Sequence, residues 1–244
     1  MPDWLTARPL AHRGLHDSAS GVIENTASAF QAAIAGNYAI ECDLQLSADG
    51  EAMVHHDPEL GRLTEGGVRR LDALPAAELK GVPFKATTDR MLTLGDLLAL
   101  VAGRATVVLE LKSRFDGDLR LPRRVSAVLE RYRGPIAAMS FDPGQITALR
   151  DFSPGLLRGL VAMQPNNATE RNFSTGSAAR FVVQALAARL QFLAYRIDDL
   201  PSPLPSFARN VLGLPLLTWT VRTADDQRRA AQHADQIIFE GLRP

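Results

Sequence analysis

Hydrophobic residues recur along this chain in two rhythms. Short runs such as Ala39 to Leu46, Ala105 to Leu111, Ile136 to Phe141, Leu156 to Val161, Phe192 to Ile197, Leu214 to Val221 and Gln236 to Phe239 read as strands. Between them, apolar residues return at helical spacing, as in Leu94, Leu97, Leu98 and Val101, or Val125, Val128, Leu129 and Tyr132. Helix starts are marked by local chemistry. Thr93 with Asp96 and Thr223 with Asp226 have the spacing of reciprocal capping pairs, and Asp142-Pro143 sets a proline at a first helical position. Glu24 or Asn25 is expected to start a helix with Phe30, Ala33 and Ile34 on its apolar face, ending at Gly36-Asn37. A helix is expected around Val182 to Leu190, after a polar loop running through Asn166-Asn167 to Gly176.

With Leu10-Ala11 before His12 and the arm Ala52 to His56, the strand candidates number nine. Asp49-Gly50 lies between two alternating apolar runs and reads as a two-residue hairpin link. Parallel neighbours need a crossover of roughly a dozen residues, so Ala52 to His56 must run antiparallel to Ile40 to Leu46. Eight parallel strands remain, which predicts a (β/α)8 TIM barrel in a single domain over 1–244. The pattern breaks from Pro58 to Pro83, where Gly61, Gly66-Gly67, Pro75 and Gly81 interrupt a weak helical run. This segment is expected to be an insertion after the second barrel strand, at about 58–92, packed outside the barrel over its mouth.

Composition narrows the functional classes. The chain has 244 residues, 46% of them apolar, enough for a sizeable core. Lys plus Arg and Asp plus Glu number 27 each, so no overall field draws nucleic acid or an anionic membrane. The single Cys42 excludes an intrachain disulfide and a multi-cysteine metal site. No basic segment leads into an apolar one at the N-terminus, and no run of 18 apolar residues occurs. A cytoplasmic protein without stable membrane association is the expectation.

Charge is concentrated where strands end. Alternation puts Glu41, Asp43 and Gln45 on one face and Ile40, Cys42 and Leu44 on the other. Two carboxylates so placed repel unless a cation sits between them, and a hard divalent ion with oxygen ligands meets that need. The same pattern also fits a half-exposed strand with its acidic face in water. The hairpin brings His56 near Glu41 to Asp43, which favours its imidazolium form. Glu110 and Lys112 again share a face at the end of a buried strand, suiting a third metal carboxylate and a phosphate-contacting lysine. Arg13 beside His12 suits bidentate phosphate binding. Glu24 is equally a helix cap.

Taken in order, His12-Arg13-Gly14, Glu24-Asn25-Thr26, Glu41-x-Asp43, His56-Asp57, Glu110-x-Lys112 and Trp219-Thr220 resemble the glycerophosphodiester phosphodiesterases over essentially the whole chain. The resemblance implies metal-dependent hydrolysis of a small-molecule glycerophosphodiester to glycerol 3-phosphate and an alcohol. One divalent cation, Mg²⁺ or Ca²⁺, would be held by Glu41, Asp43 and Glu110. His12 and His56 would divide acid and base work, Arg13 and Lys112 would neutralise phosphate, Trp219 would wall the glycerol, and Glu24 and Asn25 would support them. Which histidine is the acid is left open. A related phospholipase-like phosphodiesterase and an inactive phosphate-ester-binding barrel remain as alternatives. Two departures bear on the site: Ile23 stands where the family usually has proline, and the final strand reads Asp235 to Glu240-Gly241 where the family approximates Asp-Gly-x-x-Thr-Asp. Glu240 is a partial substitute whose role the sequence does not define, and His16 and His55 are expected to be loop or outward-facing residues.

Overall fold

The structure, a computed structural model, describes residues 2–165 and 178–244. The polar loop expected through Asn166-Asn167 to Gly176 falls largely outside the described residues. The chain opens with β1 (Leu10–Ala11), α1 (Ala27–Ala35), β2 (Ala39–Leu46) and β3 (Ala52–Val54). There follow α2 (Ala76–Gly81), α3 (Leu94–Val101), β4 (Val107–Leu111), α4 (Arg120–Leu129), β5 (Ile136–Ser140), α5 (Pro143–Phe152) and β6 (Leu157–Ala162). It closes with α6 (Ala178–Ala188), β7 (Phe192–Arg196), α7 (Pro203–Asn210), β8 (Leu216–Val221), α8 (Ala224–His233) and β9 (Gln236–Phe239).

Among the described residues, eight strands pair in the order β1-β9-β8-β7-β6-β5-β4-β2, and β1 pairs with β2 to close the ring. Every pair in the ring is parallel, so this is the expected (β/α)8 barrel. Strand β3 runs antiparallel to β2, with Leu44 opposite Val54 and Leu46 opposite Ala52. That register makes the hairpin loop residues 47–51, longer than the two-residue link expected from Asp49-Gly50. Side chains explain the difference. The Ser47 Oγ accepts from Glu51 N at 2.8 Å and donates to Asp49 Oδ1, while Asp49 Oδ1 also accepts from Ala76 N at 2.9 Å and ties the loop to α2. Gly50 takes φ +84°, a conformation open to glycine at no steric cost.

Two apolar layers follow from the period-two alternation of the strands. Ile40, Cys42, Leu44, Val107 and Leu109 point outward and pack with helical residues such as Phe30, Leu97, Val125 and Ile146. Leu10, Ala39, Val108, Met139, Leu157, Phe192 and Leu217 fill the interior, closed at one end by Trp4 and Leu5. Gly159 faces this interior because a Cβ there would stand 2.3 Å from the Phe192 ring.

The capping boxes at Thr93/Asp96 and Thr223/Asp226 form, and Asp142 caps α5 with Pro143 in its first turn. Three local readings need correction. Helix α1 starts after Thr26, because Asn25 adopts φ +57° and Glu24 is engaged by arginines, so neither begins the helix. Helix α7 was not expected: Pro201, Pro203 and Pro205 obscure its period, although Pro203 sits in the tolerated first turn. His55 lies in the loop that follows β3, as expected, but faces inward and is 1% accessible. Residues beyond His56 form a small core of their own, in which Leu60, Leu71, Leu79 and Met91 pack against Met53 of β3 and Ile23.

Candidate active site

In a parallel barrel the strand C-termini share one mouth. His12 and Arg13 follow β1, Asp43 lies in the second half of β2, Glu110 is the next-to-last residue of β4 with Lys112 just beyond its end, and Trp219 lies on β8. Register does the fine positioning. Asp43 is the direct neighbour of Glu110, and Glu41 sits two residues deeper beside Val108. One oxygen from each of Glu41, Asp43 and Glu110 lies within 4.8 Å of the others, all three residues being buried.

The second layer holds these groups in place. Asn25 Nδ2 donates to Asp43 Oδ2 at 2.9 Å, and the Asp43 backbone N–H donates back to Asn25 Oδ1 at 3.3 Å. The left-handed backbone of Arg13 turns its N–H toward Glu41 Oε2 at 3.0 Å. The Arg13 side chain binds Glu24 through Nη1 at 2.7 Å and lies 3.2 Å from Asp43 through Nε. The Lys112 ammonium sits between Asp43 Oδ1, at 2.8 Å, and Glu110. In this arrangement Lys112 is the counter-charge of the carboxylate cluster.

The electrostatics are uneven. Burial opposes ionisation of Asp43, but Lys112 and Arg13 outweigh it and hold the carboxyl well below its usual range. Burial pushes Glu41 up, and the charges of Asp43 and Glu110 push it further. The Glu41 Oε1 atom is buried without a hydrogen-bond partner among the described residues. An orphaned carboxylate oxygen beside two more carboxylates fits a hard divalent cation, which prefers oxygen ligands. Burial also raises the cost of charging Lys112, yet Asp43 and Glu110 keep it firmly protonated.

Both histidines expected at the site reach it, each with a carboxylate on Nδ1. His56 Nδ1 lies 2.7 Å from Asp57 Oδ1, and His12 Nδ1 lies 2.8 Å from Glu240 Oε2. Burial lowers the His12 pKa, opposed by the bond to Glu240. The His12 Nε2 atom faces Glu41 at 4.0 Å. Trp219 packs edge-on against Phe141, with ring centroids 5.6 Å apart, and both line a cleft of about 960 Å³ with His56, Glu110, Lys112 and Met163.

Two participants, Gln45 and Arg62, had no role read from the sequence, and a third, Glu240, was singled out there without a defined one. Gln45 Nε2 lies 3.2, 2.8 and 2.6 Å from the carbonyls of His55, His56 and Asp57, so it holds the segment that carries His56. Its place two residues after Asp43 on the same face was the available signal. Arg62 bridges Glu24, with bonds of 3.0 and 2.7 Å, to Asp57, and so joins the surroundings of Arg13 to those of His56. No spacing rule points to it. Glu240 contacts His12 from 228 residues away. Glu24 supports the site through Arg62 and Arg13: burial would raise its pKa, but these partners lower it to about 2.

The chain is 26% identical to the glycerophosphodiester phosphodiesterase of Caldanaerobacter subterraneus subsp. tengcongensis, covering 95% of this chain and 93% of that protein. A crystal structure from Silicibacter pomeroyi DSS-3 superposes with a TM-score of 0.79 at 26% identity, over 95% of this chain and 89% of that one. The Oleispira antarctica phosphodiesterase, solved with the product sn-glycerol-3-phosphate, shares the fold with a TM-score of 0.77 at 20% identity, over 95% and 91% of the two chains. The glycerophosphoryl diester phosphodiesterase family profile matches residues 12–239, from His12 to the end of β9. The chain belongs to that family of hydrolases.

Proposed function

We propose that this protein hydrolyses small glycerophosphodiesters to glycerol 3-phosphate and an alcohol, with one Mg²⁺ or Ca²⁺ held by Glu41, Asp43 and Glu110. The observation that carries the reading is the convergence of three buried carboxylates at the barrel mouth, with an unpartnered oxygen on Glu41, in a chain of this family. When bound, the cation supplies Lewis-acid stabilisation of negative charge developing on the phosphate.

The chain's own groups do the rest. Arg13 and Lys112 offset the phosphate charge. The ammonium of Lys112 has three donors, of which Asp43 and Glu110 engage two, and the third serves a phosphate oxygen. His12 and His56 flank the phosphorus: one imidazole takes the proton of the attacking group, either water or a substrate hydroxyl whose cyclic phosphate a water then opens, as the new P–O bond forms, and the other gives a proton to the departing alkoxide as the old P–O bond breaks. Their Nδ1 partners, Glu240 and Asp57, favour Nε2 as the reacting nitrogen. Trp219 and Phe141 form an apolar wall for the glycerol carbons and keep water from that side of the cleft. The glycerol 3-phosphate bound by the Oleispira antarctica relative supports this product.

Turnover of glycerophosphocholine, read as released choline, tests the reading. Activity should vanish in EDTA and return with Mg²⁺ or Ca²⁺, and Glu41→Gln should remain inactive in excess metal. Binding of glycerol 3-phosphate without turnover under any divalent metal would instead identify a barrel that binds phosphate esters without hydrolysing them.

A further inference from the structure

The last strand is where this chain departs from the family pattern, and its end has a geometric consequence. Ala11 pairs with Phe239, and the His12 backbone N–H donates to the Phe239 carbonyl at 2.9 Å. The Glu240 backbone N–H donates in turn to the Val221 carbonyl at 3.0 Å, so the backbone at residue 240 is pinned to β8. Residues 12 and 240 therefore leave adjacent parallel strands at the same level. There the Glu240 carboxylate meets His12 Nδ1 at 2.8 Å and also accepts from Arg222 Nη2 at 3.1 Å.

We propose that Glu240 is a positioning residue that fixes the tautomer and ring orientation of His12. The proposal rests on the hydrolytic role given to His12 above. A carboxylate accepts and does not donate, so a neutral His12 facing it must carry its proton on Nδ1. The Nε2 lone pair then points toward the carboxylate cluster, where Nε2 already stands 4.0 Å from Glu41 Oε2. The bond from His12, with burial opposing it, lowers the Glu240 carboxyl to about 2, so it remains an acceptor across the working range. Only 13% of the His12 side chain and 27% of the Glu240 side chain are exposed, which limits competition from water for the bond. Asp57 makes the matching contact to His56 from the adjacent residue. Glu240 does so through strand register alone, and it is the residue standing where the family pattern has aspartate.

Two measurements test this. Long-range proton–nitrogen correlation on protein with ¹⁵N-labelled histidine, the His12 signals assigned by their loss in His12→Ala, reports the tautomer at neutral pH without any substrate. The wild type should show the Nδ1–H form, and Glu240→Ala should show the Nε2–H form or a mixture. Kinetics give the second readout: Glu240→Ala should lower kcat by about 10²-fold with KM changed less than about threefold. Glu240→Gln, which keeps an acceptor oxygen, should recover part of that loss. Because Glu240 acts through His12, the double variant His12→Ala/Glu240→Ala should be no slower than His12→Ala within about twofold. An Nε2–H tautomer in the wild type, or independent losses in the double variant, would overturn the proposal. A wild type with the Nδ1–H form that turns over no glycerophosphodiester would refute the proposed reaction while upholding the positioning of His12.

Discussion

Replacing Glu41 with glutamine should stabilise the metal-free protein while abolishing its activity. Glu41, Asp43 and Glu110 present oxygens within 4.8 Å of one another in a buried cluster. At an effective dielectric constant of about 20, two unit charges 4.8 Å apart repel by about 3.5 kcal/mol. The compensating cations serve the other carboxylates: Lys112 lies between Asp43 and Glu110, and Arg13 Nε lies 3.2 Å from Asp43. Glu41 receives the Arg13 backbone N–H at 3.0 Å, which a glutamine oxygen can still accept. The wild type relieves part of the repulsion by binding a proton at Glu41, so the net gain from Glu41→Gln is set at about 1–2 kcal/mol. For a chain of this size that is a rise in Tm of about 2–8 °C in EDTA. Saturating divalent metal should reverse the order. At a hundredfold excess over Kd the wild type gains about 2.7 kcal/mol, a rise of about 5–11 °C, and Glu41→Gln gains far less. Differential scanning calorimetry in EDTA and then in Mg²⁺ or Ca²⁺ reads both effects. A Glu41→Gln variant that melts below the wild type in EDTA, or that gains as much from metal, would show that the three carboxylates do not form one cation site.

His12→Ala and His56→Ala should each lower kcat by about 10² to 10⁴-fold on glycerophosphocholine; a p-nitrophenyl ester, whose leaving group departs unprotonated, should rescue only the variant lacking the general acid, and equal rescue of both would dismiss the two-histidine mechanism. Glu24 has a folded pKa of about 2, below its ordinary value, so its ion pairs stabilise the protein fully above that ordinary value and are lost as pH falls toward 2. Urea unfolding should therefore show wild type exceeding Glu24→Gln by about 2–3 kcal/mol at pH 7, with the gap closing below about pH 5; a gap that widens in acid would contradict the Arg13–Glu24–Arg62 arrangement. Gly159→Ala should cost about 1–3 kcal/mol in urea, since the new methyl meets the enclosed Phe192 ring, and an unchanged unfolding midpoint would mean the barrel interior is looser than described.

How much of this was legible in the sequence follows from the range of the signals. Alternation within one strand already placed Glu41 with Asp43, and Glu110 with Lys112, on one face, because side-chain direction along a strand depends only on residue parity, while the closed ring decides that this face points inward. The Thr93/Asp96 and Thr223/Asp226 caps and the antiparallel return of β3 were legible for the same reason, each being settled within a few residues. The start of α1 was misplaced because Glu24 and Asn25, good capping residues in isolation, are drawn to Arg62, Arg13 and Asp43. The proline-rich α7 had too weak a period to announce itself. Only the closed ring of strands decides that Asp43 stands beside Glu110, that Arg62 joins Glu24 to Asp57, and that Glu240 meets His12 across 228 residues. Local patterning sets which way a side chain points, whereas partners brought together by strand register depend on how the barrel closes, and barrel closure is a property of all eight strands at once.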